Sequence, residues 1–389
     1  MVVVGGGIIG CATAFELSRR GARVTLIERG ELAAGASGRN HGLVLTPLDP
    51  AAVPMAAEST ALYREAIDGS ELPVPLDERP LGFLIAATSE EERAAARAEA
   101  ESARTSGVGA ERLTGDEARA SEPGLSAEVT EAWVLDDGFR VDPAALTVAL
   151  ALGAGQHGAR VERHLTARAV LVGGDRARGV VTDQGVIEGE TVVVAAGPWT
   201  GTLLRRLGID LPIVGFRGWL VHLRPPASGS VRKLIGRAGW HILPDAEPSA
   251  PLSVADVLGG PPFEVPGTLL QPNPDGTLLA GGSRQAAVAD EPEDPRMPQR
   301  ILEQGVRLVP ALEEADVLSA WWGVRPMTPD GRPVVGPVAP GVIVAAGHGG
   351  QGVILGGGTG KLVASLVTGS EPPFDGSDFD PARFSRPRG

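Results

Sequence analysis

Val2-Val3-Val4-Gly5-Gly6-Gly7-Ile8-Ile9-Gly10, then a helical stretch, then Val24-Thr25-Leu26-Ile27-Glu28, is the segment that decides the fold. An apolar strand runs into a glycine turn, a helix follows, and a second apolar strand ends in a carboxylate. This is the order of the dinucleotide-binding βαβ unit, with Gly5, Gly7 and Gly10 at its glycine positions. Gly5 allows the sharp turn out of the strand, and Gly7 lets the backbone approach a pyrophosphate. Gly10 lets the helix lie close to the sheet. Ile8 and Ile9 open the helix, where N–H groups lack intrahelical partners and the dipole favours negative charge. Glu28 can accept hydrogen bonds from an adenosine ribose, with Arg29 beside it. Glycine triplets arise by chance in a chain with 54 glycines, but the flanking strands make this one specific. The first strand is short at its start, so loss of a few preceding residues is expected.

The 389 residues suffice for two domains, and a net charge of −13 argues against a nucleic-acid surface. A single cysteine, Cys11, excludes an internal disulfide and fits a reducing compartment. The apolar run 144–155 is too short to span a membrane, and Asp142-Pro143 marks it as a helix with an N-cap. No basic residue precedes the first apolar run, so a secretory leader is not expected and a cytoplasmic location is. The six histidines show no ligand spacing, and no metal is expected.

Short apolar strands leading into glycine turns recur at 2–4, 24–28, 191–195 and 342–346. Such strands suit a parallel sheet covered on both faces, here assembled from distant segments. A helix is expected from Gly352 to about Val367, and another over 55–68 carrying Tyr63, the only tyrosine. Segments 79–88, 131–135, 218–223 and 269–281 alternate as antiparallel strands do, with Pro274-Asp275-Gly276 as a hairpin turn. Segments 169–172, 179–182 and 186–187 read as a small meander. Ser89 and Thr114 open helices with capping-box sequences, the Glu90-Glu91-Glu92 run being a solvated helix start. The proline-rich stretch 244–274 reads as loop.

Four further pieces carry chemistry. In Gly35-Ala36-Ser37-Gly38-Arg39-Asn40-His41-Gly42, small residues let backbone line a cofactor, with Ser37 and Arg39 placed to bond phosphate or ribose. Val192-Val193-Val194-Ala195-Ala196-Gly197-Pro198-Trp199 is a strand ending in small residues that admit a ligand. The others are Trp321-Trp322-Gly323-Val324-Arg325-Pro326-Met327-Thr328-Pro329-Asp330-Gly331-Arg332-Pro333 and Gly347-His348-Gly349-Gly350-Gln351-Gly352-Val353. Gly357-Gly358-Thr359-Gly360-Lys361-Leu362 imitates a phosphate loop, but Leu355 and Leu362 break the pattern.

With the N-terminal unit, these pieces resemble the DAO family of flavoproteins (D-amino acid oxidase, glycine oxidase and sarcosine oxidase) from residue 2 to about 369. The resemblance implies an α/β fold with a Rossmann-like FAD-binding domain of discontinuous segments, 1–45, 140–215 and 325–375. It also implies a second α+β substrate domain on an antiparallel sheet, 46–139 and 216–324, with a tail over 376–389. It implies FAD, bound without a covalent link; His41 is offset from the histidine that some relatives use for attachment. By position, Gly5, Gly7, Ile8, Ile9, Gly10, Glu28 and Arg29 match the adenosine diphosphate site. Ser37, Arg39, Asn40, His41 and Gly42 match the turn under the flavin, and Ala167 an adenine contact. Ala196, Gly197 and Trp199 flank the cofactor. Gly347, His348, Gly350, Gln351, Gly352 and Val353 match the loop at the flavin's pyrimidine edge.

Arg325, in Gly323-Val324-Arg325-Pro326, matches the arginine that grips a substrate carboxylate in such relatives. A guanidinium fork meets a carboxylate through two charge-assisted bonds of about 1.5–3 kcal/mol each. The expected activity is FAD-dependent oxidation of an amine or amino acid by hydride transfer, giving an imine or keto acid. The electron acceptor would be oxygen or a quinone-like compound. A dehydrogenase of 2-hydroxy acids or polyol phosphates is the alternative; it needs a base, for which His222, His241 or His348 are candidates. A dinucleotide-binding protein without turnover is the alternative of another class. The family's pocket tyrosines are missing, leaving Trp240 and His241 as candidate pocket residues. Gly350 stands where glycine oxidase has an arginine, which puts a second cationic contact in doubt.

Overall fold

The computed structural model describes residues 1–77, 81–239, 264–265, 269–286 and 296–384. Its central sheet has six strands in the order Val334–Ala339, Val342–Ala346, Val192–Val194, Val2–Val4, Thr25–Ile27, Arg160–Glu162. All neighbours run parallel except the first pair. The valine strands 2–4 and 192–194 are wholly buried, as continuous β-branched runs in a doubly covered sheet should be. The four expected strands therefore do meet in one sheet, from opposite ends of the chain. Arg160–Glu162 and Val334–Ala339 are additions, the first too short and the second too proline-marked to stand out in sequence.

Helices Ile8–Arg19, Pro143–Gln156 and Gly352–Thr368 pack on one face, with Val53–Asp68 behind them. The meander Ala167–Gly173, Arg176–Thr182, Gly185–Glu188 and the helix Thr200–Arg205 cover the other. Asp142 caps its helix by accepting from the N–H groups of Ala144 and Ala145, each at 2.9 Å. Cys11 is buried in this core, and burial pushes its thiol well above the ordinary range, so it packs as a small apolar residue.

The phosphate-loop imitation is explained by close packing. A Cβ on Gly357 would lie 2.6 Å from Cα of Ser59, and one on Gly360 would lie 2.8 Å from the backbone of Ala12. The helix Gly352–Thr368 is glycine-rich so that two other helices can approach it. Tyr63 enters the first turn of that helix. Its hydroxyl donates to the carbonyl of Val353 at 2.8 Å and accepts from the N–H of Gly357 at 3.1 Å, bridging groups four residues apart. Tyr63→Phe leaves both backbone groups buried without this bridge. We expect a loss of about 1–3 kcal/mol, read as a lowered denaturant midpoint at unchanged slope.

The second sheet is antiparallel apart from the pairing of Ile235–Arg237 with Phe83–Ala87. Its spine is Val214–Arg224, paired along its length with Asp316–Met327 on one side, and with Leu278–Gly281 and Arg284–Ala286 on the other. The expected hairpin is present, Leu269–Pro272 against Leu278–Gly281, with Gly276 at φ +82° in its turn. The loop expected over 244–274 is corrected at Glu264–Val265, which is a strand; most of the stretch before it lies outside the described residues. Asp316–Met327, a strand that no expected segment covers, carries Arg325 on the antiparallel sheet.

Thr114 and Glu117 form the expected reciprocal capping box. The acidic run after Ser89 is not wholly solvated, since Glu92 is buried. Its carboxylate accepts from the Thr88 N–H at 2.7 Å and pairs with Arg237. Burial of that carboxylate was invisible because its partner is distant in sequence. Among the described residues, no helix is long and apolar enough to cross a membrane.

Candidate active site

A cavity of about 1390 Å³ runs from the N-terminal glycine turn to the antiparallel sheet, larger than the ~300–1,000 Å³ usual for small ligands. At the nucleotide end the turn is shaped by close contact. Gly5 has φ +115°, and a Cβ on Gly10 would overlap the carbonyl oxygen of Gly5. Gly10 thus supports the cavity wall without lining it; Gly5, Gly7, Ile8 and Ile9 line it. Ser37 Oγ accepts from the N–H of Ile8 at 2.9 Å, reaching the helix start as a phosphate ligand must.

Glu28 holds two loops together. Its Oε2 accepts from Gly6 N–H at 2.6 Å and its Oε1 from Gly30 N–H at 2.9 Å. A carboxylate has further lone pairs, so this anchoring leaves capacity for a ribose. Arg29 lies over the Trp199 ring, 3.7 Å from its centroid, and Ala167, Ala196 and Gly197 complete this end of the lining.

In the turn after residue 35 the side chains are spent differently from expectation. Asn40 Nδ2 donates to the carbonyls of Ala36 and Ser37, while its Oδ1 accepts from Gly42 N–H. Asn40 therefore shapes the turn. Gly42, at φ +69°, cannot carry a Cβ without overlapping the Val141 carbonyl oxygen, and it too shapes the turn. Arg39 is exposed and donates to the carbonyl of Trp322 at 3.0 Å, tying the turn to the antiparallel sheet, whereas a phosphate or ribose contact was expected of it.

The opposite wall is built by Gly347 and Gly349, both at positive φ, followed by the helix that starts at Gly352. His348, Gly350, Gln351, Gly352 and Val353 line the cavity; Gly347 sets the turn behind them, against Thr328. His348 is buried, its Nε2 bonded to Thr359 Oγ1 at 2.9 Å, and burial lowers its pKa to about 3. His41 is held by Gln271 Oε1 at 3.0 Å from Nδ1, and burial with nearby Arg325 brings its pKa to about 4. Both imidazoles are neutral near pH 7. A neutral histidine buried in the fold, but chargeable when unfolded, contributes stability that disappears as pH falls from 6.5 through the folded pKa. Each contributes up to ~1.4 kcal/mol per pH unit in that window. We expect His348→Gln to flatten the acid side of a denaturant-midpoint-against-pH curve; an unchanged slope would contradict the neutral buried state.

Arg325 projects from its strand over Gly218, where a Cβ would overlap the guanidinium. Its Nη1 donates to the carbonyl of Ser283 at 2.8 Å. Burial, with Arg284 as a nearby like charge, lowers its pKa to about 10, so the group stays cationic. Gly350 approaches the same side chain, its Cβ position 3.9 Å from Arg325 Nε. Trp240 and His241 lie outside the described residues. Arg284, which lines the cavity beside Arg325, was missed. It follows the expected hairpin by three residues, and nothing in Gly282-Ser283-Arg284 advertises a site.

Three buried polar atoms on cavity-lining residues have no protein partner among the described residues: His41 Nε2, Trp199 Nε1 and His348 Nδ1. Two are lone-pair acceptors, because their sister nitrogens face oxygen acceptors, and one is a donor. Buried polar groups require partners, and a long polar ligand passing from the glycine turn to the sheet would supply them. The model of the FAD-dependent oxidoreductase family DAO matches residues 1–366. The chain belongs to that family. Glycine oxidase of Geobacillus kaustophilus (strain HTA426) is 30% identical over 396 residues, covering 98% of this chain and 96% of the relative. Glycine oxidase of Pseudomonas aeruginosa is 29% identical over 98% of each. The solved glycine oxidase from Geobacillus kaustophilus superposes with a TM-score of 0.82 at 28% identity, over 98% of both chains.

The cofactor is therefore FAD, and the protein is an oxidoreductase. The glycine turn, the orphaned polar atoms and the length of the cavity fit that group. Residues 5–9, Glu28, Ser37 and Trp199 would hold its nucleotide half, and the 348–353 loop its ring half.

Proposed function

We propose that the chain oxidises a small amino acid or N-substituted amino acid, with Arg325 gripping the carboxylate. One observation carries this reading: a buried, cationic guanidinium stands at the ring end of the cavity, over a glycine that leaves it room. FAD, when bound, supplies the two-electron acceptor. The chain's own part is orientation, since a bidentate clamp fixes which bond of the substrate faces that acceptor. The glycine oxidase relatives support an amine over an alcohol. So do the histidines, because an alcohol needs a base: His222 is not among the cavity-lining residues, and burial lowers His348 to about 3, which leaves it a weak base. His222 Nε2 bonds Thr277 Oγ1 at 2.9 Å and His348 Nε2 bonds Thr359. With a neutral amine as substrate, loss of a hydride (two electrons and one proton) gives a protonated imine, which water hydrolyses to the oxo acid and ammonium or an alkylammonium. Oxygen or a quinone-like acceptor then takes the electrons.

The test is anaerobic bleaching of the flavin by a panel of amino acids, N-methyl amino acids and 2-hydroxy acids. Bleaching by the amines, with the hydroxy acids inert, is the expected result. Bleaching by hydroxy acids alone would overturn it. Repeating the reaction in air, with and without a quinone, identifies the acceptor.

A further inference from the structure

Two guanidinium groups, not one, face the ring end of this cavity. Arg284–Ala286 pairs with the spine strand at Phe216↔Ala286 and Arg217↔Gln285, so continuing the register brings Arg284 beside Gly218. Arg325 stands on the other neighbour of that spine strand, at Phe216↔Arg325. The two arginines thus flank the position where glycine leaves the sheet bare. Arg325 also reaches across to the Ser283 carbonyl, the residue that immediately precedes Arg284. Ser283 is itself pinned, its Oγ accepting from Trp219 N–H at 2.8 Å. Both arginines line the cavity. Each loses water there, and burial lowers Arg284 to about 10 as well.

Two guanidinium groups on the lining of one enclosed cavity favour a ligand that carries negative charge. A guanidinium fork pairs bidentately with one carboxylate, so a second guanidinium on another strand matches a second acidic group. A guanidinium carries five N–H donors, so one bonded elsewhere in the protein still presents donors to the cavity.

We propose that Arg284 binds a second acidic group of the substrate, so that the preferred donors are amino acids carrying two carboxylates. This includes amino acids with an acidic side chain and those with a carboxyalkyl group on nitrogen. It rests on Arg325 holding the first carboxylate. Arg284 is then a specificity-determining residue, and it fills the role of a second cation that Gly350 cannot.

The holoenzyme provides the test, with non-oxidisable acids as probes and the flavin spectrum as readout. Glutarate and succinate are compared with pentanoate and butyrate, which have the same chain lengths and one carboxylate. The expected result is dissociation constants about tenfold or more lower for the dicarboxylates, an advantage that Arg284→Met removes. Bleaching should follow the same order, acidic amino acids of either hand ahead of neutral ones of equal length. Equal affinity for both kinds of acid in the unaltered enzyme overturns the proposal, and that comparison stands even if Arg284→Met fails to fold. A variant weakened equally toward both kinds overturns it as well, since both arginines would then share one carboxylate. If flavin-loaded enzyme binds neither kind, the Arg325 reading itself has failed.

Discussion

Replacing Arg325 with methionine is expected to leave a yellow, folded protein that carboxylate-bearing amines no longer reduce at a useful rate. The main-chain pairing of Arg325 with Phe216 keeps the strand in place, and methionine fills much of the vacated volume. What disappears is a pair of charge-assisted hydrogen bonds, each about 1.5–3 kcal/mol. Their loss predicts a fall in kcat/KM for reduction of about 10²–10⁴-fold. Lysine should recover only part of this, because an ammonium is a point charge without the guanidinium's planar fork. Gly218→Ala offers an independent check that removes no charge. The added methyl overlaps the guanidinium and must displace it, so carboxylate affinity should fall while flavin content holds. Unchanged reduction of Arg325→Met by the panel would refute the clamp.

The second large effect is expected at Gly10. A side chain there meets the carbonyl oxygen of Gly5, which is backbone in the turn itself and cannot swing aside. Gly10→Val forces the first helix away from the sheet or distorts the glycine turn. Overpacking of this kind costs about 1–3 kcal/mol or more, and it displaces the N–H groups that should face the pyrophosphate. We expect little soluble protein and negligible FAD in what is recovered. Gly7→Ala separates binding from folding. Its Cβ would sit 3.0 Å from Ser37 Oγ, a side-chain atom that can give way. That variant should unfold near the parent's midpoint yet hold FAD more weakly, since the backbone can no longer come as close to phosphate. Full flavin occupancy in Gly10→Val would contradict this arrangement of the turn.

The nucleotide half of the molecule was legible because its signals are local. A valine run, three glycines and a terminal glutamate each do their work within the first turn of structure, and Asp142-Pro143 announces its own helix. The 347–353 loop was readable for the same reason: its glycines are needed for positive φ at Gly347 and Gly349. The substrate half was less legible. Arg325 was found through a motif, but its setting depends on Gly218, Ser283 and Arg284, which come from strands more than forty residues away in sequence and meet only through sheet register. Arg39 and Asn40 both line the cavity, yet their side chains also bond backbone carbonyls, which their position on the turn did not announce. The sequence of a polar loop does not say whether a side chain will bond a ligand or its own backbone. Glu92 shows the same limit, for its burial is set by Arg237 on another element.

The most direct test is a visible spectrum of the purified protein after incubation with FAD and removal of the excess, followed by titration with a carboxylate ligand. Flavin absorption stoichiometric with the chain, shifting as the carboxylate binds, is what converging glycine turns beside a buried Arg325 predict. A folded protein that stays colourless, or a bound flavin indifferent to every carboxylate, would contradict them.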